Sequence, residues 1–264
     1  MEGVREVEGS PARLHEMTWE DIEAVLKERD PVVIIPIGSV EQHGRHLPLG
    51  TDTHVAIDLA EAAAGRVPGA VVTPPVWYGM SSHHMVLPGT VTVRPGVLIE
   101  LTIDIISSLR RHGFRKFVLL NGHRISNLPW MQLACERLNT EAPDCRTAIF
   151  DPAYMSREIA GELDFGPVGH ADELETSHML ACRPDLCRMD RAEDYRPTKR
   201  QLYHVDPRAS GDTLAYVPSS NHEAREIASI SGGTTGEPTR ANVQKGQEYR
   251  DHLLMRLVQV IEDM

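Results

Sequence analysis

Pro31-Val32-Val33-Ile34-Ile35-Pro36-Ile37 runs without a break into Gly38-Ser39-Val40-Glu41-Gln42-His43-Gly44-Arg45-His46-Leu47-Pro48-Leu49-Gly50-Thr51-Asp52. The first part is short, apolar and rich in β-branched residues, the pattern of a buried strand. The second part places carboxylates and imidazoles among glycines at the mouth of that strand. Open α/β sheets bind their ligands at the carboxyl ends of the strands. Glu41 and His43 are two residues apart, so on an extended chain they project to the same side. Oxygen and imidazole donors side by side suit Zn²⁺ or Mn²⁺ better than Ca²⁺ or Cu⁺. The plain alternative is a polar, solvated loop that contains histidine without using it.

The pattern continues in both directions. Thr18-Trp19-Glu20-Asp21 has the form of a capping box, with Asp in the last place, opening a helix to about residue 29. Pro36 needs a position where no ladder donor is required. A helix over about 52–65, a short strand near 70–73 and a loop over 74–88 follow the polar stretch. Pro95 marks a helix start and Gly113 its stop. Leu98, Ile99, Leu101, Ile103, Ile105, Ile106 and Leu109 cover so much of that helix that it is expected to be largely buried. Phe117-Val118-Leu119-Leu120 reads as the next buried strand and leads into Asn121-Gly122-His123. A helix over about 128–139, a strand near 147–150 and a helix over 173–181 come next. Residues 184–238 have poor periodicity and are expected to be mostly loop, before a last helix over about 241–262. Alternation at this spacing gives an α/β fold, a mainly parallel sheet flanked by helices.

The 264 residues suit a single domain over 1–264. A composition of 41% hydrophobic and 25% charged residues is that of a globular chain. The net charge of −11 argues against a nucleic-acid partner, which needs clustered Lys and Arg. Cys135, Cys145, Cys182 and Cys187 form no CxxC pair, which fits a reducing compartment. No apolar stretch approaches the roughly 20 residues of a membrane span, and the first residues lack a signal-peptide core. A soluble cytoplasmic protein is expected.

Metal-capable groups follow two strands: Glu41, His43 and Asp52 after the first, His123 after the later one. Gly169-His170-Ala171-Asp172-Glu173-Leu174-Glu175 brings a third set. A catalytic ion takes about three protein ligands, so a pair sharing one carboxylate needs about five. Glu41, His43, Asp52, His123 and Glu175 supply that number. Three carboxylates against two divalent ions leave the cluster positive, which favours a bound hydroxide and a developing oxyanion.

The stretch 38–52, the loop His84 to Pro88-Gly89-Thr90, Asn121-Gly122-His123, the segment 169–177 and Gly233-Thr234-Thr235-Gly236-Glu237-Pro238-Thr239 together resemble the creatininase (creatinine amidohydrolase) family. The resemblance covers about residues 18–249. It implies an α/β fold around two divalent ions per chain (Zn and/or Mn), a hydrolase acting on amide-like bonds, and commonly a homo-oligomer, a hexamer. By motif match Glu41, His43, Asp52, His123 and Glu175 are the metal ligands, Asp52 the bridge, His170 the acid/base, and His84 a lining residue. Two departures stand out. The segment Asn121-Gly122-His123-Arg124-Ile125-Ser126-Asn127 is one residue longer than the family's usual Asn-Gly-His-Gly-Gly-Asn pattern and carries a bulky Arg124. Creatinine-cleaving members have a tryptophan shortly before the acid/base histidine, where this chain has Phe165-Gly166-Pro167-Val168.

The expected activity is therefore metal-dependent opening of a small cyclic amide-like substrate, other than creatinine. Arg124 is expected to reach a carboxylate- or hydroxyl-bearing substrate, with a solvent-facing side chain as the alternative. Ser39 is expected to donate a hydrogen bond to substrate beside Glu41. His83 is expected on the surface and Trp77 in the core. The rivals are hydrolytic carbon–carbon ring opening of a cyclic polyol diketone, of the inosose type, and a metal-binding scaffold without activity.

Overall fold

The computed structural model describes residues 12–124, 126–196 and 220–264. Five strands, β1 (Ala12–Arg13), β2 (Val32–Ile37), β3 (Val71–Val72), β4 (Lys116–Asn121) and β5 (Arg146–Phe150), form one sheet in the order β1-β3-β2-β4-β5. Every pairing is parallel. The helices are α1 (Trp19–Glu28), α2 (Thr51–Ala64), α3 (Pro95–His112), α4 (Leu128–Glu141), α5 (Pro152–Met155), α6 (Arg157–Glu162), α7 (Glu173–Cys182), α8 (Asn221–Ser231) and α9 (Val243–Glu262). They cover both faces of the sheet, as the alternating sequence pattern requires.

The pleat sorts the apolar run of β2 onto two cores. Val32 and Ile34, with Val118 and Leu120 of β4, pack against Leu59 and Ala63 of α2 and Tyr249, Leu253 and Leu257 of α9. Val33, Ile35 and Ile37, with Phe117 and Leu119, pack against Leu98 and Ile106 of α3 and Trp130 and Leu138 of α4. Burying each such side chain stabilises the fold by about 1.5–3 kcal/mol. Pro36 is accommodated in this central strand because the two-residue β3 stops pairing at Ile34. Its carbonyl still accepts from Val76 N at 2.8 Å.

Local signals act where expected. Thr18 and Asp21 form the complete capping box that opens α1, and Gly113, at φ 116°, closes α3 in the left-handed conformation. Two expectations need correction. Helix α3 buries only Leu98, Thr102, Ile103 and Ile106, while Leu101 is 42% exposed, because a single helix face meets the sheet. The stretch 184–238 is not mostly loop where it is described. Helix α8 runs through it, opened by a Ser220/Glu223 capping box and closed by Gly232. Residues 197–219 lie outside the described residues. Helix α5, opened by Asp151 capping Ala153 N, and helix α6 are further elements that the periodicity does not announce.

No helix among the described residues is long and apolar enough to cross a membrane.

Candidate metal centre

The ends of β2 and β4 are adjacent, with Ile37 opposite Asn121 and Gly122 N–H donating to Ile37 O at 2.7 Å. The chain leaving β2 carries Glu41 and His43, and the chain leaving β4 carries His123. The first turn of α2 crosses these ends closely and brings Asp52 between them. Such closeness requires glycine: a Cβ on Gly122 would sit 2.0 Å from Asp52 O, and one on Gly38 would meet Thr53 at 2.2 Å.

The remaining groups arrive on the loop before α7. His170 is stitched to Thr235 by two backbone hydrogen bonds, N to O at 2.9 Å and O from N at 2.8 Å. Ala171 adopts a left-handed φ of 50°, unusual for a residue with a Cβ. Its N–H is thereby aimed at Glu175 Oε2, 2.6 Å away. Asp172 caps α7 by accepting from Glu175 N. Both Asp52 and Glu175 thus stand in first turns, where the helix dipole favours negative charge. Helix α7 buries Glu173, Thr176, Ser177 and His178 beside Leu174 and Met179, an unusual share of polar groups for a packed helix.

Asp52 turns one oxygen toward each of His43 and His123. Oδ1 lies 3.1 Å from His43 Nε2, and Oδ2 lies 3.0 Å from His123 Nδ1. Glu41 Oε2 is 3.2 Å from His123 Nε2, and Glu175 Oε2 is 3.9 Å from His43 Nε2. Donor atoms of Glu41, Asp52 and His123 lie within 4.8 Å of one another, as do those of His43, Asp52 and Glu175, and those of Glu41, His43 and His170. Both oxygens of Glu41, Asp52 Oδ2 and His43 Nε2 are buried with no hydrogen-bond partner. Buried carboxylate oxygens left in that state are costly, and a cation among them removes the cost. The donor set therefore fits the divalent metal that the chemistry calls for.

Electrostatics agree. Burial pushes the Glu41 carboxyl up to about 7 against the pull of His123. Burial disfavours charge on His43 and His123, yet the surrounding carboxylates, Asp52 foremost at His43 and Glu41 at His123, raise them to about 10 and about 9. Asp52, although buried, is held well below the usual carboxylate range by these two rings. Without metal, imidazolium groups supply the positive charge that cations would bring. His170 goes the other way. Burial and the neighbouring His43 push it down to about 3, so its ring is neutral. Its Nε2–H donates to the Gln42 carbonyl, which leaves the Nδ1 lone pair 3.7 Å from Glu41 Oε1. His84 completes this wall, its ring 3.9 Å from that of His170 and its Nε2 3.6 Å from Glu41 Oε1.

The structure thus brings Glu41, His43, Asp52, His84, His123, His170 and Glu175 together. It turns two other predicted residues into the protein. Arg124 does not face solvent and lines a small internal cavity beside Asp52, Glu175 and His178. Its side chain is 9% exposed and pairs with Glu175 Oε1 at 2.5 Å, because α7 lays its carboxylates over it. Ser39 is fully buried and its hydroxyl pairs with Ser81 Oγ at 2.5 Å, so it supports the site through Ser81 rather than offering a free donor. His83 is half-buried rather than on the surface, its ring stacked 6.2 Å from that of His123. Trp77 is 39% exposed rather than in the core, set edge-on to His54.

Gln42 escaped the reading of the motif although it lies between Glu41 and His43. Its carbonyl fixes His170, and its side-chain nitrogen lies 2.9 Å from His84 Nδ1. Asp172 escaped it too, although Asp172-Glu173-Leu174-Glu175 has the spacing of a capping box.

A parallel α/β sheet with a buried carboxylate–histidine cluster at its strand ends is the architecture of a metal-binding enzyme site. The chain belongs to the creatininase family, whose profile, described as creatinine amidohydrolase, matches residues 15–261. It is 30% identical over 276 residues to a 3-dehydro-scyllo-inosose hydrolase of Thermotoga maritima, covering 94% of this chain and 82% of that one. It is 31% identical over 233 residues to a creatinine amidohydrolase of Pseudomonas putida, covering 80% of this chain and 89% of the other. A solved structure titled "Creatininase Mn" superposes with a TM-score of 0.76 at 26% identity, covering 96% of this chain and 98% of that one.

Proposed function

We propose that this chain is a binuclear metal-dependent amidohydrolase that opens a small cyclic amide-like substrate other than creatinine. The observation that carries the reading is Asp52, buried between His43 and His123 with one oxygen toward each. Glu41, Asp52 and His123 would hold one divalent ion, and His43, Asp52 and Glu175 the other, with Zn²⁺ or Mn²⁺ suited to these donors. Bound ions supply Lewis acidity and a water of lowered pKa.

The protein's own part in the reaction is proton transfer and orientation. The oxygen of water joins the carbonyl carbon, the carbon–nitrogen bond breaks, and the nitrogen leaves with a proton. His170 fits the transfer because its Nε2 is engaged by Gln42 and its Nδ1 faces the cluster free to accept and return that proton. His84, stacked on His170, positions the substrate ring. Phe165 packs inward against Tyr249, so the segment before His170 provides no aromatic wall for creatinine. We place the activity in one domain over 1–264, in a homo-oligomer, hexameric as the family resemblance implies, in the cytoplasm.

A second reading has its own support. The Thermotoga relative, aligned over 94% of this chain, is named for an inosose substrate, which favours carbon–carbon ring opening of a cyclic polyol diketone. Metal-loaded protein assayed against cyclic amides, cyclic polyol ketones and creatinine separates the readings. Turnover of a cyclic amide is expected, with creatinine below a kcat/KM of about 10⁴ M⁻¹s⁻¹, the low end for efficient enzymes. Efficient creatinine cleavage overturns the substrate assignment, and turnover of ketones alone selects the second reading. Tight metal binding with no turnover leaves a scaffold.

A further inference from the structure

Arg124 is the residue by which this chain departs most from the family pattern, and it contacts only one half of the cluster. Its Nη2 and Nε lie 2.5 Å and 3.1 Å from the same oxygen, Glu175 Oε1. Its second carboxylate neighbour is Asp172, with Nη2 3.6 Å from Oδ2. The other Glu175 oxygen, Oε2, accepts from Ala171 N and faces His43. One oxygen of Glu175 is therefore saturated with donors and the other alone is directed at the cluster. Among the described residues no lysine or arginine forms an ion pair with Glu41 or Asp52, whose charged neighbours are histidines.

That difference has a consequence for cation binding. A guanidinium keeps its charge at any working pH. The guanidinium of Arg124 thus stays beside Glu175 and repels whatever cation that carboxylate holds. We propose that Arg124 is a fixed counter-charge that makes Glu175 a one-oxygen ligand and leaves the cation at His43, Asp52 and Glu175 bound more weakly than the cation at Glu41, Asp52 and His123. The inference rests on the binuclear reading above and makes Arg124 a positioning residue.

Equilibrium titration of metal-free protein with Zn²⁺ or Mn²⁺, against a competing chelator, tests it. The unmodified chain should bind two ions with dissociation constants at least about tenfold apart. Arg124→Met should tighten the weaker site by about tenfold and leave the stronger one nearly unchanged, while Arg124→Lys, which keeps the charge, should stay close to the parent. Should Arg124→Met fail to fold, Arg124→Gln, which removes the charge but can keep a donor to Glu175 Oε1, should tighten the same site. Two ions bound, with no tightening or with weakening in these neutral variants, overturns the inference alone. A single bound ion, or a Glu175→Gln variant with unaltered binding, overturns the binuclear reading and the inference with it.

Discussion

Glu41 and His123 are fixed by the sheet, whereas His170 and Glu175 are fixed by a loop and a helix end. The first pair leaves adjacent parallel strands that are hydrogen-bonded up to Gly122 and Ile37, with β-branched and aromatic side chains buried on both faces. The second pair depends on the bridge between His170 and Thr235, on the left-handed Ala171, and on α7 packing against α2 and α9. A strand end has little freedom once its ladder has formed. A loop held by two backbone hydrogen bonds can open without unfolding the sheet. The sheet half is thus suited to holding an ion, and the loop half to adjusting around a substrate and moving a proton. Arg124 reinforces the contrast by neutralising part of the loop half alone.

The largest effect is expected where the halves meet. Asp52→Ala should take the bound metal from about two ions per chain to well under one if, as proposed, both ions share this carboxylate. Metal analysis of the dialysed variant checks this, and full occupancy would break the shared-ligand account. His170→Ala should keep both ions while kcat falls by roughly 10²–10⁴-fold, the range for a positioned acid/base. Parallel loss of metal and activity would make His170 a ligand instead, which its place near Glu41 and His43 also permits.

Two glycines sharpen the comparison further. A Cβ at Gly169 would lie 1.7 Å from Thr235 O, and one at Gly122 2.0 Å from Asp52 O. Each alanine variant should lose about 1–3 kcal/mol of stability through overpacking. Gly122→Ala should also lose metal, whereas Gly169→Ala should retain the ion at Glu41, Asp52 and His123 and lose turnover. Thermal melts alongside metal analysis decide it, and equal metal loss in both would erase the distinction between the halves.

The smallest effect is a proton count. His43 and His123, at about 10 and about 9 without metal, are charged at pH 7.5, and ligand imidazoles must be neutral. Loading should release about two protons per chain, so affinity should rise with pH up to those values. Calorimetry in buffers of different ionisation enthalpy measures this, and metal uptake without proton release would contradict the charge states assigned to the pair.

The sheet half was legible because its signals are local. Residues 31–37 and 117–120 are apolar runs of strand length, and each is followed at once by its metal-capable residues. The loop half was legible only as residue types. Nothing near Arg124 in sequence tells that α7, some 50 positions on, will lay Glu175 over it, so a long cation next to a ligand reads as a substrate contact. His83 and Ser39 were misplaced for the same reason, since a side chain's direction in an irregular segment is set by distant partners such as His123 and Ser81. Helix α8 is a different kind of miss. Its moderate amphipathicity is diluted by flanking Pro, Gly and Asp residues, although Ser220, Glu223 and Gly232 carry its start and stop.

The central claim is that Asp52 joins two ions held by unlike halves. Anomalous diffraction from crystals of the Zn²⁺- or Mn²⁺-loaded protein tests it most directly. The account predicts two peaks about 3.5–4 Å apart, the usual spacing of a two-metal site, with Asp52 between them. One bears on Glu41 and His123, the other on His43 and Glu175. A single peak, or a pair that Asp52 does not touch, would contradict it.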